Sequence, residues 1–308
     1  TQEVYRSLMD VICVKLQHFS IDDIEIDLVG SMTDTTRTKS LDKIIEWLFE
    51  LQAENIKVEG KSEEDIDPDT IESLVMEAFE SQSFSYRYQA AYEGETALLF
   101  EMAVKLVTAD GKLIHQKRFM PVIHRLGLVR LFDEIQTEEA LKQLLKLQTN
   151  QKIAIDVAPS SLRNPHFFEH VMMLISNNET INERVVFVIS ENSYYHHVKQ
   201  FNTRLQAYRR AGICIALDRL GGLHSSMRYL NDLDVDLVRF DSHLTNTITD
   251  PKTEAIIKGL IYTIKQLKCR SWIGKVEDEM KYHAVERIGI DIIQGNYLSP
   301  IDTIKESG

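Results

Sequence analysis

Residues able to hold a cation or a phosphate recur at the ends of the β-like runs of this chain. Glu101 and Lys105 lie in the run Leu98 to Val107, Asp156 in Ile153 to Val157, and Glu191 follows Val185 to Ile189. Asp218 and Arg219 follow Ile213 to Leu217, and Arg239 and Asp241 lie at the end of Leu237 to Phe240. Lys275 and Glu277 follow Ser271 to Ile273, and Gln294 follows Asp291 to Ile293. If these runs are strands of one barrel, their C-terminal ends meet at one rim. A ring of carboxylates there suits divalent cations and, through them, a phosphate ester. Taken singly, each of these residues is explained as well by a solvated strand end or a helix N-cap. The argument for a site rests on the set.

Other polar groupings carry less. His196 and His197 stand beside Tyr194 and Tyr195, but neighbours on a helix point roughly 100° apart and cannot share a ligand. A surface helix accounts for them. Arg204, Arg209 and Arg210 with Tyr208 form a small basic and aromatic cluster suited to RNA or an acidic partner, or simply a solvated helix face. The run Gly221-Gly222-Leu223-His224-Ser225-Ser226 is Gly-rich enough to cradle phosphate, with a structural turn as its plainer role.

The elements that must position the strand-end residues follow from spacing. Apolar runs alternate with amphipathic helical patterns at a period of roughly thirty residues, the mark of βα units and a parallel sheet. Together with an early strand near Phe84 to Gln89, they predict an eight-stranded α/β barrel of the TIM type. A doubly wound sheet is the competing architecture, and no G-x-G-x-x-G follows any run to support it. Residues 1–60 read helix, strand, helix: Leu8, Ile12, Leu16 and Phe19 share a face, Asp23 to Val29 alternates, and Ile44, Ile45, Leu48 and Leu51 return to the helical period. The acidic stretch 61–69, punctuated by Pro68, is expected to be a linker, with the main domain at 70–308.

Composition narrows the class. A chain of 308 residues that is 44% hydrophobic can bury a full core. Its net charge of −12 argues against a broad nucleic-acid surface, leaving only a local basic patch. Cys13, Cys214 and Cys269 are far apart and form no C-x-x-C pair, so neither a disulfide framework nor a zinc site is expected. No apolar run reaches the ~18 residues of a membrane span, and the start lacks the basic region of a signal peptide.

The order of these residues resembles the EAL phosphodiesterase family. The resemblance is carried by Glu101-Met102-Ala103, Phe119-Met120-Pro121 before Leu126-Gly127-Leu128, Ala154-Ile155-Asp156-Val157-Ala158-Pro159, and Ser161-Leu162. It continues through Gly212-Ile213, Asp218-Arg219-Leu220-Gly221, Ser225-Ser226, Asp236-Leu237-Val238-Arg239-Phe240-Asp241, Gly289-Ile290-Asp291 and Gln294-Gly295. It covers about residues 70 to 302. It implies a modified (β/α)8 barrel and, in active members, hydrolysis of cyclic di-GMP by two divalent cations. Residues 1–60 resemble the C-terminal part of a degenerate GGDEF domain.

The resemblance also marks where the sequence departs from an active site. Glu101 is kept, but Lys105 stands where the family has an Arg that holds the substrate phosphate, a point charge replacing a bidentate fork. Asp156 replaces an Asn ligand, Val188 and Gly274 replace Glu ligands, and Arg219 replaces the second acid of the D-D-F-G segment. A guanidinium ~4 Å from a divalent ion would repel it by roughly 8 kcal/mol at an effective ε of about 20. Arg239 replaces the Lys associated with the general base, while Asp218, Glu277 and Gln294 survive. The positions Glu101, Asp156, Val188, Asp218, Arg219, Gly274 and Gln294 thus read as a vestigial Mg²⁺/Mn²⁺ site that no longer functions, with no catalytic residue and no cofactor. Lys105, Arg219, Arg239 and Glu277 remain as contacts for a phosphate or other ligand.

This pattern implies a catalytically inactive regulatory module. It most resembles the CsrD-like GGDEF–EAL regulators of small-RNA decay, through Phe119-Met120-Pro121, Asp133-Glu134-Ile135-Gln136, and Leu244 to Ile248 followed by Thr253-Glu254. That likeness implies partners such as the glucose-specific enzyme IIA of the phosphotransferase system, the ribonuclease E pathway and small RNA, a homodimer, and a cytoplasmic domain of an inner-membrane-anchored protein. The alternative is a LapD-like receptor that binds cyclic di-GMP without cleaving it, using Lys105 and Arg219 in place of the lost cations. A weak residual phosphodiesterase is the third possibility.

Overall fold

The computed structural model describes residues 20–21, 24–25, 68–81, 83–147, 150–176, 181, 183–191, 197–222 and 227–302. Of the N-terminal sixty residues only β1 (Ser20–Ile21) and β2 (Ile24–Glu25) are among them, as an antiparallel pair. The rest of the expected GGDEF-like remnant, most of the linker, and Cys13 lie outside the described residues. The helix α1 (Pro68–Ser81) starts one residue before the expected end of the linker at 69.

The main body is a closed barrel. Its strands in chain order are β3 (Ser85–Glu93), β4 (Thr96–Val107), β6 (Lys152–Asp156), β7 (Val185–Ser190), β8 (Cys214–Leu220), β9 (Leu237–Phe240), β10 (Arg270–Ile273) and β11 (Ile292–Gln294). Pairing runs β3-β11-β10-β9-β8-β7-β6-β4, and β3 pairs with β4 to close the ring. Within the ring, β4 and β6 through β11 are parallel neighbours, whereas β3 is antiparallel to both β4 and β11. The hairpin β3–β4 explains this reversal: the turn at Gly94 (φ +58) joins the strands directly, with no crossover helix. A ninth strand, β5 (Leu113–His115), lies outside the ring on the extension of β4 beyond Glu101.

Around the barrel run α2 (Gln116–Leu126), α3 (Val129–Leu144), α4 (Pro159–Arg163), α5 (Pro165–Ser176), α6 (Val198–Arg210), α7 (Arg228–Asp232), α8 (Ser242–Asn246), α9 (Pro251–Gln266) and α10 (Glu279–Ile288). Local chemistry sets their ends. Asp250 and Asp278 accept backbone N–H bonds at the starts of α9 and α10, and Gly127 and Gly289 close α2 and α10 with φ of +69 and +81.

Outward-facing strand residues and the inner faces of the helices form the main core, with Phe84, Phe119 and Phe132 packed ring to ring. Inside the barrel a second apolar layer consists of Ala91, Leu99, Ala154, Val186, Val188, Ala216, Leu237, Trp272 and Ile292. Strand side chains alternate, so the residues two positions further on face inward as well. From Leu99, Ala216, Leu237, Trp272 and Ile292 that step leads to Glu101, Asp218, Arg239, Gly274 and Gln294. The strand period alone therefore stacks a polar layer on the apolar one.

Candidate functional site

Arg239 is the centre of that polar layer. Its Nε donates to Asp218 Oδ1 at 2.6 Å, and its Nη1 donates to Glu101 Oε1. The Arg239 side chain is only 12% exposed and that of Asp218 15%. Beneath it lies Trp272, its direct partner in the β9–β10 register, with the guanidinium carbon 4.4 Å from the ring centroid. A cation desolvated against an indole face gains from the ring quadrupole as well as from its two carboxylates.

The remaining contacts tie the layer together. Gln294 Nε2 donates to the other oxygen of Glu101 at 2.9 Å, while its Oε1 faces Gly274, where an added Cβ would lie 3.7 Å away. Asp218 Oδ1 also accepts the Arg219 backbone N–H at 2.8 Å, and the Arg219 Nε stands 3.8 Å from Oδ2. The register of β8 on β9 shifts between Leu217 and Leu220, and Arg219 within that bulge has φ +69. A bulge re-aims the side chains it carries, and this one leaves both Asp218 and Arg219 at the rim.

Electrostatics hold Asp218 and Arg239 in their charged forms. Burial pushes the Asp218 carboxyl upward, but the charge of Arg239, its hydrogen bond and the charge of Arg219 outweigh that and hold it below the usual carboxylate range. Burial alone would ease the proton off Arg239, yet Asp218 and Glu101 keep its pKa well above the ordinary arginine value. The four charges Glu101, Asp218, Arg219 and Arg239 sum to zero.

The other expected positions are spread around this cluster. Val188 is buried in the apolar layer between Asp156 and Ala216. Asp156 ends β6, exposed, close enough for its charge to act on Arg239. Lys105 shares the inward parity of Glu101 but lies four residues on, about 13 Å along the strand, where β4 pairs with β5. Glu277 is exposed and accepts from Asn296 Nδ2 at 2.7 Å. The sequence put its weight on Arg219 as the cation intruding among the carboxylates; the deeper guanidinium is Arg239. Among the described residues, no group of three or more His, Cys, Asp or Glu is arranged to hold a metal ion.

Three features escaped the sequence reading. Trp272 is one, although its inward parity two residues before Gly274 was a usable signal. The bulge at Asp218–Arg219 is another. The third is a link behind the rim: Gln136 Nε2 donates to Asp133 Oδ1 at 2.7 Å and to the Asp156 carbonyl at 2.6 Å, and Ala158 N–H donates to Asp133 Oδ2 at 3.1 Å. Burial raises the Asp133 carboxyl to about 7 despite these bonds.

Two lesser expectations need correction. Tyr208 is fully buried, its hydroxyl directed at the Leu162 carbonyl, while Arg209 pairs with Asp236, so the supposed basic and aromatic face does not exist as one surface. His197 precedes α6 in a left-handed conformation, φ +48, and is not on a surface helix. His196, Tyr194, Tyr195 and residues 223–226 lie outside the described residues. Gly221, with φ +81 and Leu244 so near that an added Cβ would lie 2.6 Å from it, serves the turn.

With fold and site in view, the comparisons with known proteins agree on the class. The EAL domain family model matches residues 73–301, and the chain belongs to that family. Cyclic di-GMP phosphodiesterase PdeF of Escherichia coli is 25% identical over 67% of this chain and 29% of its own length. Signaling protein YkoW of Bacillus subtilis is 23% identical over 74% and 29%, and cyclic di-GMP phosphodiesterase PdeA of Borreliella burgdorferi 22% over 72% and 34%. The chain thus spans about a third of the length of these relatives. The FimX EAL domain of Pseudomonas aeruginosa, solved bound to c-di-GMP, has a TM-score of 0.69 at 20% identity over 77% of this chain and 98% of that one. An EAL domain protein of Listeria monocytogenes gives 0.69 at 21% identity over 78% and 95%. Among the described residues, no helix is long and apolar enough to cross a membrane.

Proposed function

We propose that this EAL domain is a non-catalytic regulatory module in which a guanidinium has taken the place of the catalytic cations. The observation that carries this reading is the Arg239 bridge. One guanidinium engages an oxygen of Glu101 and an oxygen of Asp218 at once, stacked on Trp272. Two-metal phosphodiester hydrolysis needs a pair of cations ~4 Å apart, each held by several oxygens. Here Val188 and Gly274 offer no side-chain oxygen, Gln294 turns its amide nitrogen toward Glu101, and Arg219 adds a second positive charge. This donor set does not fit such a pair. Purified protein with Mg²⁺ or Mn²⁺ is expected to leave cyclic di-GMP intact; linearisation that Glu101→Ala abolishes would refute the proposal.

A module of this kind signals by what it binds. The CsrD-like reading makes the ligand a protein or RNA partner in small-RNA decay, with the glucose-specific enzyme IIA, the ribonuclease E pathway and small RNA as those to test. One observation favours a second reading, a cyclic di-GMP receptor. Arg219 lies at the rim with 22% of its side chain exposed, in the position where a charge-assisted phosphate contact needs no metal. Calorimetry separates the two: micromolar binding of cyclic di-GMP that Arg219→Glu removes supports the receptor, and no heat at high ligand concentration eliminates it.

A further inference from the structure

The outer face of α10 carries an exposed aromatic pair. Tyr297, in the turn after β11, packs on Tyr282 with ring centroids 5.3 Å apart and 36° between the planes, and is itself 43% exposed. The pair is held in place: Tyr282 Oη donates to Glu286 Oε1 at 2.8 Å, and Tyr297 N–H donates to the Val276 carbonyl at 3.2 Å. The His283 ring lies 5.8 Å from that of Tyr282, exposed, three residues after Met280, which is 70% exposed. Positions three apart on a helix are neighbours, so the four side chains form one surface. Aromatic and methionine side chains gathered in solvent are the composition of a docking surface.

Carboxylates surround these rings. Glu277 accepts from Asn296, the neighbour of Tyr297, at 2.7 Å, and His283 stands 3.6 Å from Glu279 and 3.4 Å from Glu286. Each carboxylate oxygen has two lone pairs, so the contacts already made leave room for further donors. Lys275, in the loop before α10, offsets one of the three charges, while Lys281 pairs with Asp278 and Arg287 with Glu254 of α9. The excess on this face is negative, which repels the phosphates of RNA.

We propose that this face docks an arginine-bearing segment of a protein partner. A guanidinium is flat, so it lies on the Tyr297 ring while its N–H edge meets Glu277 or Glu279; an ammonium has neither the plane nor the fork. Met280 and the His283 ring supply contact for the side chains that flank the arginine, which a free polyamine lacks. This docking rests on the reading of the domain as a module that acts through a partner, and it selects protein over RNA. It uses none of Glu101, Asp218, Arg219 and Arg239, so hydrolysis of cyclic di-GMP would refute that reading without altering the binding described here.

Fluorescence anisotropy on the full chain in about 150 mM salt, with labelled hexa-arginine and hexalysine as probes, tests it. Hexa-arginine is expected to bind with a Kd on the order of 50 μM, and hexalysine at least about fivefold more weakly. Tyr297→Ala should bring hexa-arginine down to the hexalysine level. Tyr297→Phe, which keeps the ring, should bind it as the parent does, and both variants should keep the parent's unfolding temperature. Glu279→Lys, at a side chain 72% exposed, should weaken both probes at least about fivefold. Glu77→Lys on α1 changes the net charge equally and should shift neither probe by more than about twofold. Four results would overturn the docking: equal affinity for the two probes, no binding of hexa-arginine at about 1 mM, Glu77→Lys as damaging as Glu279→Lys, or Tyr297→Ala dissociating a dimer of the parent, which would make the occupant a second copy.

Discussion

At the residue scale, Arg239 holds two half-enclosed carboxylates that would otherwise repel each other across the barrel mouth. Truncating it leaves Glu101 and Asp218 without their common partner, and breaking a buried pair from one side costs about 3–5 kcal/mol. Arg239→Ala should lower the midpoint of urea unfolding by a corresponding amount. Arg239→Lys, which keeps the charge but not the two-armed geometry, should fall between it and the parent. A variant as stable as the parent would show that the bridge contributes nothing. Glu101, Asp218 and Gln294 were legible in the sequence because each breaks or ends an apolar run at the strand period: Glu101 lies within Leu98 to Val107, and Asp218 and Gln294 follow theirs. The role of Arg239 was not, because only the β8–β9–β10 register decides which guanidinium reaches inward, and Trp272 completes its setting from a neighbouring strand.

At the element scale, the barrel strands could be read directly. Runs such as Val185 to Ile189 are apolar throughout because parallel strands are covered on both faces. β5, the short helices α4, α7 and α8, and the bulge in β8 were missed. Three to five residues carry too little periodicity to register, and a bulge depends on strand pairing across the fold. Asp133 joins α3 to the end of β6 and yields a pH dependence. Its carboxyl is raised to about 7 in the folded chain, whereas it would ionise near 4 when unfolded. The stability this group contributes is complete below about pH 4 and is lost as pH rises to about 7, since the unfolded chain gives up the proton first. Asp133→Asn stays neutral throughout, so its urea midpoint should fall less than the parent's between about pH 5 and pH 8. Equal declines would contradict the assignment. Gly295 illustrates a close approach of two loops: a Cβ there would lie 2.0 Å from the Val276 carbonyl oxygen, so Gly295→Ala should displace the segment after β10 and destabilise the fold by several kcal/mol, as overpacking of about 1–3 kcal/mol is compounded by a rigid backbone. Unfolding midpoints unchanged from the parent would show that the loop yields.

At the scale of the whole molecule, the chain has the architecture of the EAL domain family, and at its rim Arg239 is held between Glu101 and Asp218. The fold was legible because the βα repeat spans the entire domain. A docking surface is not legible in the same way, because such surfaces are composed of residues brought together from separate helices, and no single spacing marks them. The most direct measurement is diffraction from crystals grown with Mn²⁺, using its anomalous signal to locate bound ions. On this account the map shows no manganese between Glu101 and Asp218, and the Arg239 side chain spans the gap. Two manganese peaks about 4 Å apart beside Asp218, with Arg239 swung aside, would contradict it.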